Sequence, residues 1–245
     1  MTKIGLISDV HSNIEALEAV LKELDSRGVD QILCLGDVVG YGASPLECIK
    51  ALQERDILTV KGNHDDYVTD ITGELGRHLR AEVRDAIAWT QNKLGFDGVG
   101  WLTKLPMTLD FEEFSIIHSS YSPLRWAYCL DEATFNVNFQ YQKPQLAFCG
   151  HSHAPLIGLE MPAGQQPFVD YIHGQKVPED CKVMVNVGSV GQPRDENPRA
   201  ACVIYEMEAR SLELVRVEYD VASAQQKILK AGLPERFAMR LAIGK

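Results

Sequence analysis

Long apolar runs are missing from this chain. None approaches the roughly 18 residues that a membrane-spanning helix requires, so no membrane association is expected. The N-terminus has no basic stretch followed by a long apolar segment. It runs straight into Lys3-Ile4-Gly5-Leu6-Ile7, and no signal peptide is expected. Positive charge is also scarce: 24 Lys and Arg stand against 34 Asp and Glu, a formal net charge of −10. Such a surface repels a nucleic-acid backbone and speaks against strong nucleic-acid binding. Paired cysteines are absent too. Cys34, Cys48, Cys129, Cys149, Cys181 and Cys202 never occur as C-x-x-C, and three of them lie in apolar runs, where a thiol acts as a small hydrophobe. All six are expected to be reduced, in a cytoplasmic protein. Repeats, low-complexity tracts and linkers are not visible, so residues 1–245 are expected to form a single domain. With 45% hydrophobic residues, the chain can bury a core without disulfides or a structural metal.

What is present alternates. Residues 3–8 form an apolar strand. Ser12-Asn13-Ile14-Glu15 has the form of a capping box that opens a helix with apolar positions Ile14, Leu17, Val20, Leu21 and Leu24, closed by Gly28. Residues 31–35 are the next strand. Ser44-Pro45-Leu46-Glu47 is a second capping box, with proline at the first helical position. Residues 57–60 are the third strand, and the β-α-β-α-β order predicts parallel strands in one sheet. A helix is expected over 78–94, and a hairpin over 107–111 and 114–118. Strands follow over 145–149, 182–187, 200–207 and 212–219, then helices over 221–231 and 235–242. The first half reads as α/β and the second as mostly β, which two packed sheets with helices outside would satisfy.

Five polar clusters interrupt the chain, each after an apolar run: Asp9-Val10-His11, Gly36-Asp37-Val38-Val39-Gly40, Gly62-Asn63-His64-Asp65, His118, and Gly150-His151-Ser152-His153. The carboxyl ends of strands in an open α/β sheet line its ligand crevice, so the five would converge. In Asp-x-His and His-x-His, alternate residues of an extended segment point the same way and can reach one centre. Carboxylate, imidazole and carboxamide donors without thiolate favour divalent ions such as Mn²⁺, Fe²⁺ and Zn²⁺. Any one histidine here could be structural, and Asp9, Asp37 or Asn63 could cap a helix or turn. Five clusters in order argue for ligands.

In that order the motifs D-x-H, G-D-x-x-G, G-N-H-D, a lone H and G-H-x-H resemble the calcineurin-like metallophosphoesterase family. Gly188-Ser189-Val190-Gly191-Gln192-Pro193-Arg194-Asp195 resembles a later signature of its small prokaryotic members. The resemblance implies an α/β fold, a four-layer α/β/β/α sandwich of two mixed sheets with flanking helices. It also implies two divalent metal ions, with Mn²⁺ first in order and Fe²⁺, Zn²⁺, Ni²⁺ or Co²⁺ as alternatives. The first ion would take Asp9, His11, Asp37 and His153. The second would take Asp37, Asn63, His118 and His151, with Asp37 bridging through one oxygen to each. A metal-bridging hydroxide would attack phosphorus. His64 would assist the leaving group as an imidazolium acid or as a charge stabiliser, oriented by Asp65, and Arg194 would bind substrate phosphate or else form a structural ion pair with Asp195 or another acid.

The implied activity is hydrolysis of a phosphate ester in a phosphorylated small molecule or nucleotide, a phosphodiester or dinucleoside polyphosphate before a phosphomonoester. Protein-phosphatase relatives carry arginine shortly after the second-motif aspartate and glutamate after G-N-H. Here Val39-Gly40-Tyr41-Gly42 and Asp65 stand instead, which argues against phosphoproteins. His118-Ser119 replaces H-G, and Val187 replaces the proline of N-P-G-S. A non-catalytic scaffold would have lost ligands, and none is lost; a nuclease subunit would carry extra domains and basic surfaces. Arg77, Arg80 and Arg84, at helical spacing, read as a solvated face before a polyphosphate guide. His78 and His173 read as surface residues. Tyr41 and Tyr121 are candidates for the pocket wall or for packed core.

Overall fold

In the computed structural model the backbone is described for residues 1–245 and the side chains for all but residues 74 and 75. The chain opens with β1 (Lys3–Ile7), α1 (Ile14–Ser26), β2 (Gln31–Cys34), α2 (Pro45–Glu54), β3 (Leu58–Thr59), α3 (Asn63–Thr69), α4 (Glu74–Arg77) and α5 (Ala81–Thr103). It continues with β4 (Thr108–Asp110), β5 (Ser115–Ile117), α6 (Glu132–Tyr141), β6 (Leu146–Cys149), β7 (Pro155–Leu159), β8 (Phe168–Tyr171) and β9 (Val183–Val187). It closes with β10 (Ala200–Glu206), β11 (Ser211–Val217), α7 (Val221–Lys230), α8 (Glu235–Met239) and a 3₁₀ turn, Arg240–Ala242. None of the described helices is long and apolar enough to cross a membrane.

One sheet runs β11-β10-β1-β2-β3 and the other β4-β5-β6-β9-β7-β8. The pairs β1/β2, β2/β3, β5/β6 and β6/β9 are parallel, while β10, β11, β4, β7 and β8 join antiparallel. Both sheets are therefore mixed. The period of two along each central strand builds the layers. Leu6 of β1, Leu33 of β2 and Val203 and Tyr205 of β10 face Ile116, Leu146, Phe148, Val183 and Val185 of the other sheet. The alternate residues Ile7, Cys34 and Ile204 pack under α1, α2 and α5. On the far side, Ala147, Cys149 and Met184 lie under Phe135 and Phe139 of α6. The result is the expected helix/sheet/sheet/helix order.

Several local expectations change. Asn13, not Ser12, caps α1: its Oδ1 accepts from Ala16 N at 3.2 Å and its Nδ2 donates to Gly191 O at 2.9 Å. Ser12 instead gives its N–H to Val38 O and takes a left-handed backbone, φ 54°. Ser44 stands at the cap of α2 without a side-chain cap bond, although Pro45 is at the first helical position. The third strand keeps two residues. The helix placed over 78–94 starts at Ala81 and runs to Thr103 across a kink at Gly95, which alone departs from helical angles (φ 62°, ψ −165°). Helices α3, α4 and α6 and the strands β7 and β8 have no counterpart in the sequence reading.

Candidate metal centre

The carboxyl ends of the parallel strands in both sheets share one rim, and the five polar clusters leave from it. Asp9 and His11 follow β1, Asp37 follows β2, Asn63 opens α3 after β3, His118 follows β5, and His151 and His153 follow β6. All are buried. Backbone bonds join the loops: Asp9 N to Gly36 O, His11 N to Asp37 O, Gly150 N to His118 O and Gly191 N to Asp9 O. The backbone turns tightly enough that Asp9, His11, Asp37, His151 and His153 all have φ between 48° and 69°. Left-handed non-glycine residues are uncommon, and their clustering marks strain held by surrounding structure. Gly150 is required for a different reason: a Cβ there would strike Ser8 Oγ and Asp9 Oδ2.

Ligand atoms of Asp9, His11, Asp37 and His153 lie together, and those of Asp37, His118 and His151 form an adjoining group. Asn63 Oδ1 completes the second, 3.1 Å from His118 Nε2. Asp37 belongs to both groups, through a single oxygen. Its Oδ2 is 3.6 Å from His11 Nε2 and 3.4 Å from His118 Nε2, while its Oδ1 accepts the His64 backbone N–H at 2.7 Å.

The imidazoles are oriented from behind. Nδ1 of His11 donates to Val39 O (3.2 Å), Nδ1 of His118 to Leu35 O (2.7 Å) and Nδ1 of His153 to Gln192 O (2.6 Å), which turns each Nε2 inward. His151 is reversed. Its Nε2 meets Trp126 O at 2.9 Å, leaving Nδ1 for the centre, and its ring stacks on Tyr128 at 4.0 Å. Such outer partners set tautomer and direction. Residues 186–195, from the end of β9 onward, contribute as a brace: Asn186 Nδ2 holds Gly150 O and Ser152 Oγ, and Ser189 Oγ donates to Asp9 O.

The donor set fits divalent cations. Nε2 of His11 and Nε2 of His153 face each other at 3.2 Å. With both Nδ1 atoms donating to carbonyls, both Nε2 atoms are lone-pair acceptors, and two acceptors at that distance repel unless a cation lies between or beside them. Asp9 Oδ1, 3.2 Å from His153 Nε2, accepts no hydrogen bond among the described residues. Burial would raise the pKa of Asp9 and of Asp37, yet the neighbouring imidazoles outweigh it and both are held below the usual carboxylate range. Burial lowers His118, but the Asp37 carboxylate outweighs that and lifts it to about 9. His151 falls to about 3 through burial and then His118, and burial also lowers His11 and His153. Two carboxylates and one imidazolium leave a buried negative excess, which is costly without a cation.

Beside this centre, His64 is buried against Gly40, and its Nδ1 has no hydrogen-bond partner among the described residues. Burial drops its pKa to about 4, so it is a neutral imidazole at pH 7 and not the expected imidazolium. Asp65 does not orient it: its carboxylate accepts from Gly62 N (2.9 Å) and Val39 N (3.2 Å), capping α3. Tyr41 lies 4.4 Å from the His64 ring and 4.8 Å from the His11 ring, centre to centre.

A cleft of about 650 Å³ opens over Asp37, Asn63, His64, His151 and His153. Arg194 lines it, with Nη2 donating to Gln192 Oε1 at 2.9 Å. The alternative of an Arg194–Asp195 pair is excluded, because Asp195 pairs with Arg216. Arg77, Arg80 and Arg84 are all exposed, and Arg80 also lines the cleft; Arg84 caps α4 through Arg77 O. His78 is exposed at the mouth of the cleft and His173 is on the surface. Tyr121 is packed core, bonded to Ser115 Oγ. Sequence reasoning missed Trp126, Tyr128, Arg236 and Arg240, which come from loops and C-terminal segments with no motif of their own.

A sequence model described as a calcineurin-like phosphoesterase superfamily domain matches residues 2–210. An uncharacterised protein of Methanocaldococcus jannaschii is 37% identical over 99% of this chain and 98% of its own length. A metallophosphoesterase of known crystal structure from Sphaerobacter thermophilus is 34% identical, with a TM-score of 0.86 over 100% of this chain and 99% of that one. A symmetrical bis(5′-nucleosyl)-tetraphosphatase of Actinobacillus pleuropneumoniae is 24% identical over 48% of this chain and 45% of its own.

Proposed function

The chain belongs to the calcineurin-like phosphoesterase superfamily and is a metal-dependent phosphoesterase, and on that premise we propose that it hydrolyses phosphodiester or dinucleoside polyphosphate substrates at a two-metal centre. Asp9, His11, Asp37 and His153 would hold one ion, and Asp37, Asn63, His118 and His151 the other. Divalent ions held there, Mn²⁺ foremost, supply Lewis acidity that lowers the pKa of water and neutralises charge on phosphoryl oxygens.

The single observation that carries this reading is the opposed pair of inward Nε2 atoms on His11 and His153, 3.2 Å apart, each with its Nδ1 committed to a carbonyl. The protein's own groups do the rest. Carbonyls of Leu35, Val39, Gln192 and Trp126 keep the imidazoles turned to the centre before substrate arrives, so no reorganisation is needed. His64, neutral at pH 7, donates a hydrogen bond to the departing oxygen from an N–H, which lowers the cost of the alkoxide without a stored proton. The Arg194 guanidinium takes a phosphoryl oxygen from the cleft side.

The departures at Val39-Gly40-Tyr41-Gly42 and Asp65 support diesters over phosphoproteins, and the similarity to symmetrical bis(5′-nucleosyl)-tetraphosphatases supports a phosphoanhydride substrate. The test has two parts. Elemental analysis of the Mn²⁺-reconstituted protein is expected to give two ions per chain. Assays with bis-p-nitrophenyl phosphate, p-nitrophenyl phosphate, a phosphopeptide and diadenosine tetraphosphate are expected to rank a diester or the dinucleotide first. At most one ion per chain, or a phosphopeptide in first place, overturns the proposal.

A further inference from the structure

We propose that Arg240 and Arg194 form a second phosphate subsite, which selects substrates carrying a phosphoanhydride chain beyond the scissile phosphorus. The proposal rests on the phosphoesterase reading above and adds a residue that no motif contains. Arg240 begins the 3₁₀ turn after α8, remote in sequence from every ligand loop, yet the fold brings it to the same cleft. The link is Tyr41. The Arg194 Cζ lies 5.8 Å from the centre of its ring and the Arg240 Cζ 6.0 Å, while the same ring touches His11 and His64. Phe237 of α8 packs on Tyr41 at 5.0 Å, which anchors the segment carrying Arg240. Tyr41 is thus in contact with the histidines of the centre and within reach of both guanidinium groups.

Neither guanidinium is paired with an Asp or Glu side chain among the described residues. Arg194 has only the Gln192 carboxamide, and its buried Nε has no partner among the described residues. Arg240 donates to the main-chain oxygen of Lys245 and meets no carboxylate side chain among the described residues. Arg236, by contrast, is paired with Glu82 at 2.5 Å and Lys245 with Glu196 at 3.6 Å. Burial and then the Arg194 charge pull the Arg240 pKa down to about 10, the mark of crowded like charges. On a chain of net charge −10 such a cluster is a local exception, and an anion in the cleft would relieve it. A lone phosphoryl group has its charge met at the metal centre. Guanidinium groups gathered around Tyr41 in the same cleft therefore suit a further phosphate, which Arg can hold bidentately.

The experiment begins with the metal-free, EDTA-treated protein, which removes both the catalytic centre and chelation from the readout. Calorimetric titration with inorganic tripolyphosphate is expected to show binding at least tenfold tighter than orthophosphate. Arg240→Gln is expected to weaken tripolyphosphate at least tenfold, and Arg240→Lys to recover part of it. With the Mn²⁺-loaded enzyme, Arg240→Gln should raise KM for diadenosine tetraphosphate at least tenfold more than KM for bis-p-nitrophenyl phosphate. Equal affinity of the parent for tripolyphosphate and orthophosphate overturns the subsite without any variant, as does an equal KM change for both esters. If neither ester is hydrolysed while the tripolyphosphate preference and its loss in Arg240→Gln persist, the phosphoesterase reading fails and the subsite stands.

Discussion

His118 Nε2 stands 3.4 Å from the Asp37 carboxylate in the metal-free protein. Asp37, outweighing burial, lifts His118 from its ordinary 6.5 to about 9, so below that pH the imidazole is charged. An ion that takes Nε2 must expel that proton. Metal affinity is therefore expected to rise with pH between 7 and 9, by about tenfold per unit for one proton displaced, and to level off above 9. Calorimetry in buffers of different protonation enthalpy measures the release; no proton released at pH 7 would mean that His118 is already neutral. Gly40 gives a second check at this scale. It sits at φ 97°, and a Cβ there would drive into His64 Nδ1. Gly40→Ala is expected to displace His64 and cut turnover by about 10²-fold, the lower end for a positioned proton donor, while the ion content stays at that of the parent. Loss of an ion in Gly40→Ala would instead tie this loop to the ligands.

Among the elements, α3 shows how a short helix is used. Seven residues long, it opens with Asn63 and His64, while Asp65 ties its N-terminus to Val39 and Gly62. The first turn thus aims two side chains at the centre, and its backbone N–H at His64 holds Asp37 Oδ1. Packing on the other sheet is equally close. Gly158 of β7 lies against the fully buried ring of Phe135 in α6, and a Cβ there would overlap the ring. Gly158→Ala is expected to destabilise the fold by about 1–3 kcal/mol, the usual cost of overpacking. The turnover of its folded fraction should match that of the parent. Urea unfolding followed by an assay separates the two; unchanged stability would show that α6 shifts at little cost.

At the scale of the whole molecule, the proposed ligands come from both sheets. Asp9, His11 and Asp37 hang from the first, His118, His151 and His153 from the second, and the bond from His118 Nδ1 to Leu35 O crosses between them. An ion held from both sides binds the folded state alone. At a free concentration 100 times Kd it adds about 2.7 kcal/mol, which in a chain of this size corresponds to roughly 5–10 °C in Tm. Chelation is expected to lower Tm by at least that much, and Mn²⁺ to restore it. A Tm indifferent to chelator would mean that no ion binds the folded state in preference to the unfolded chain.

What the sequence determined by itself was the chemistry and its order along the chain. Polar clusters directly after apolar runs pointed to the seven proposed ligand positions and His64, which the fold brings together, because strand ends are set by local pattern and parallel strands end on one rim. The periodicity of Leu17, Val20, Leu21 and Leu24 likewise placed α1. Only the tertiary structure decided the rest, wherever partners distant in the chain competed with local preference. Ser12 lost the cap of α1 to Asn13 because Val38 O claimed its N–H and Gly191 O claimed the Asn13 carboxamide. Asp65 went to the helix cap and not to His64, and the His64 N–H met Asp37 Oδ1. The C-terminal turn brought Arg240 to Tyr41 through Phe237, a contact between residues about 200 apart. A pattern read over ten or twenty residues carries strand ends and helix faces; which carbonyl or carboxylate meets a given side chain is settled by packing across the whole chain.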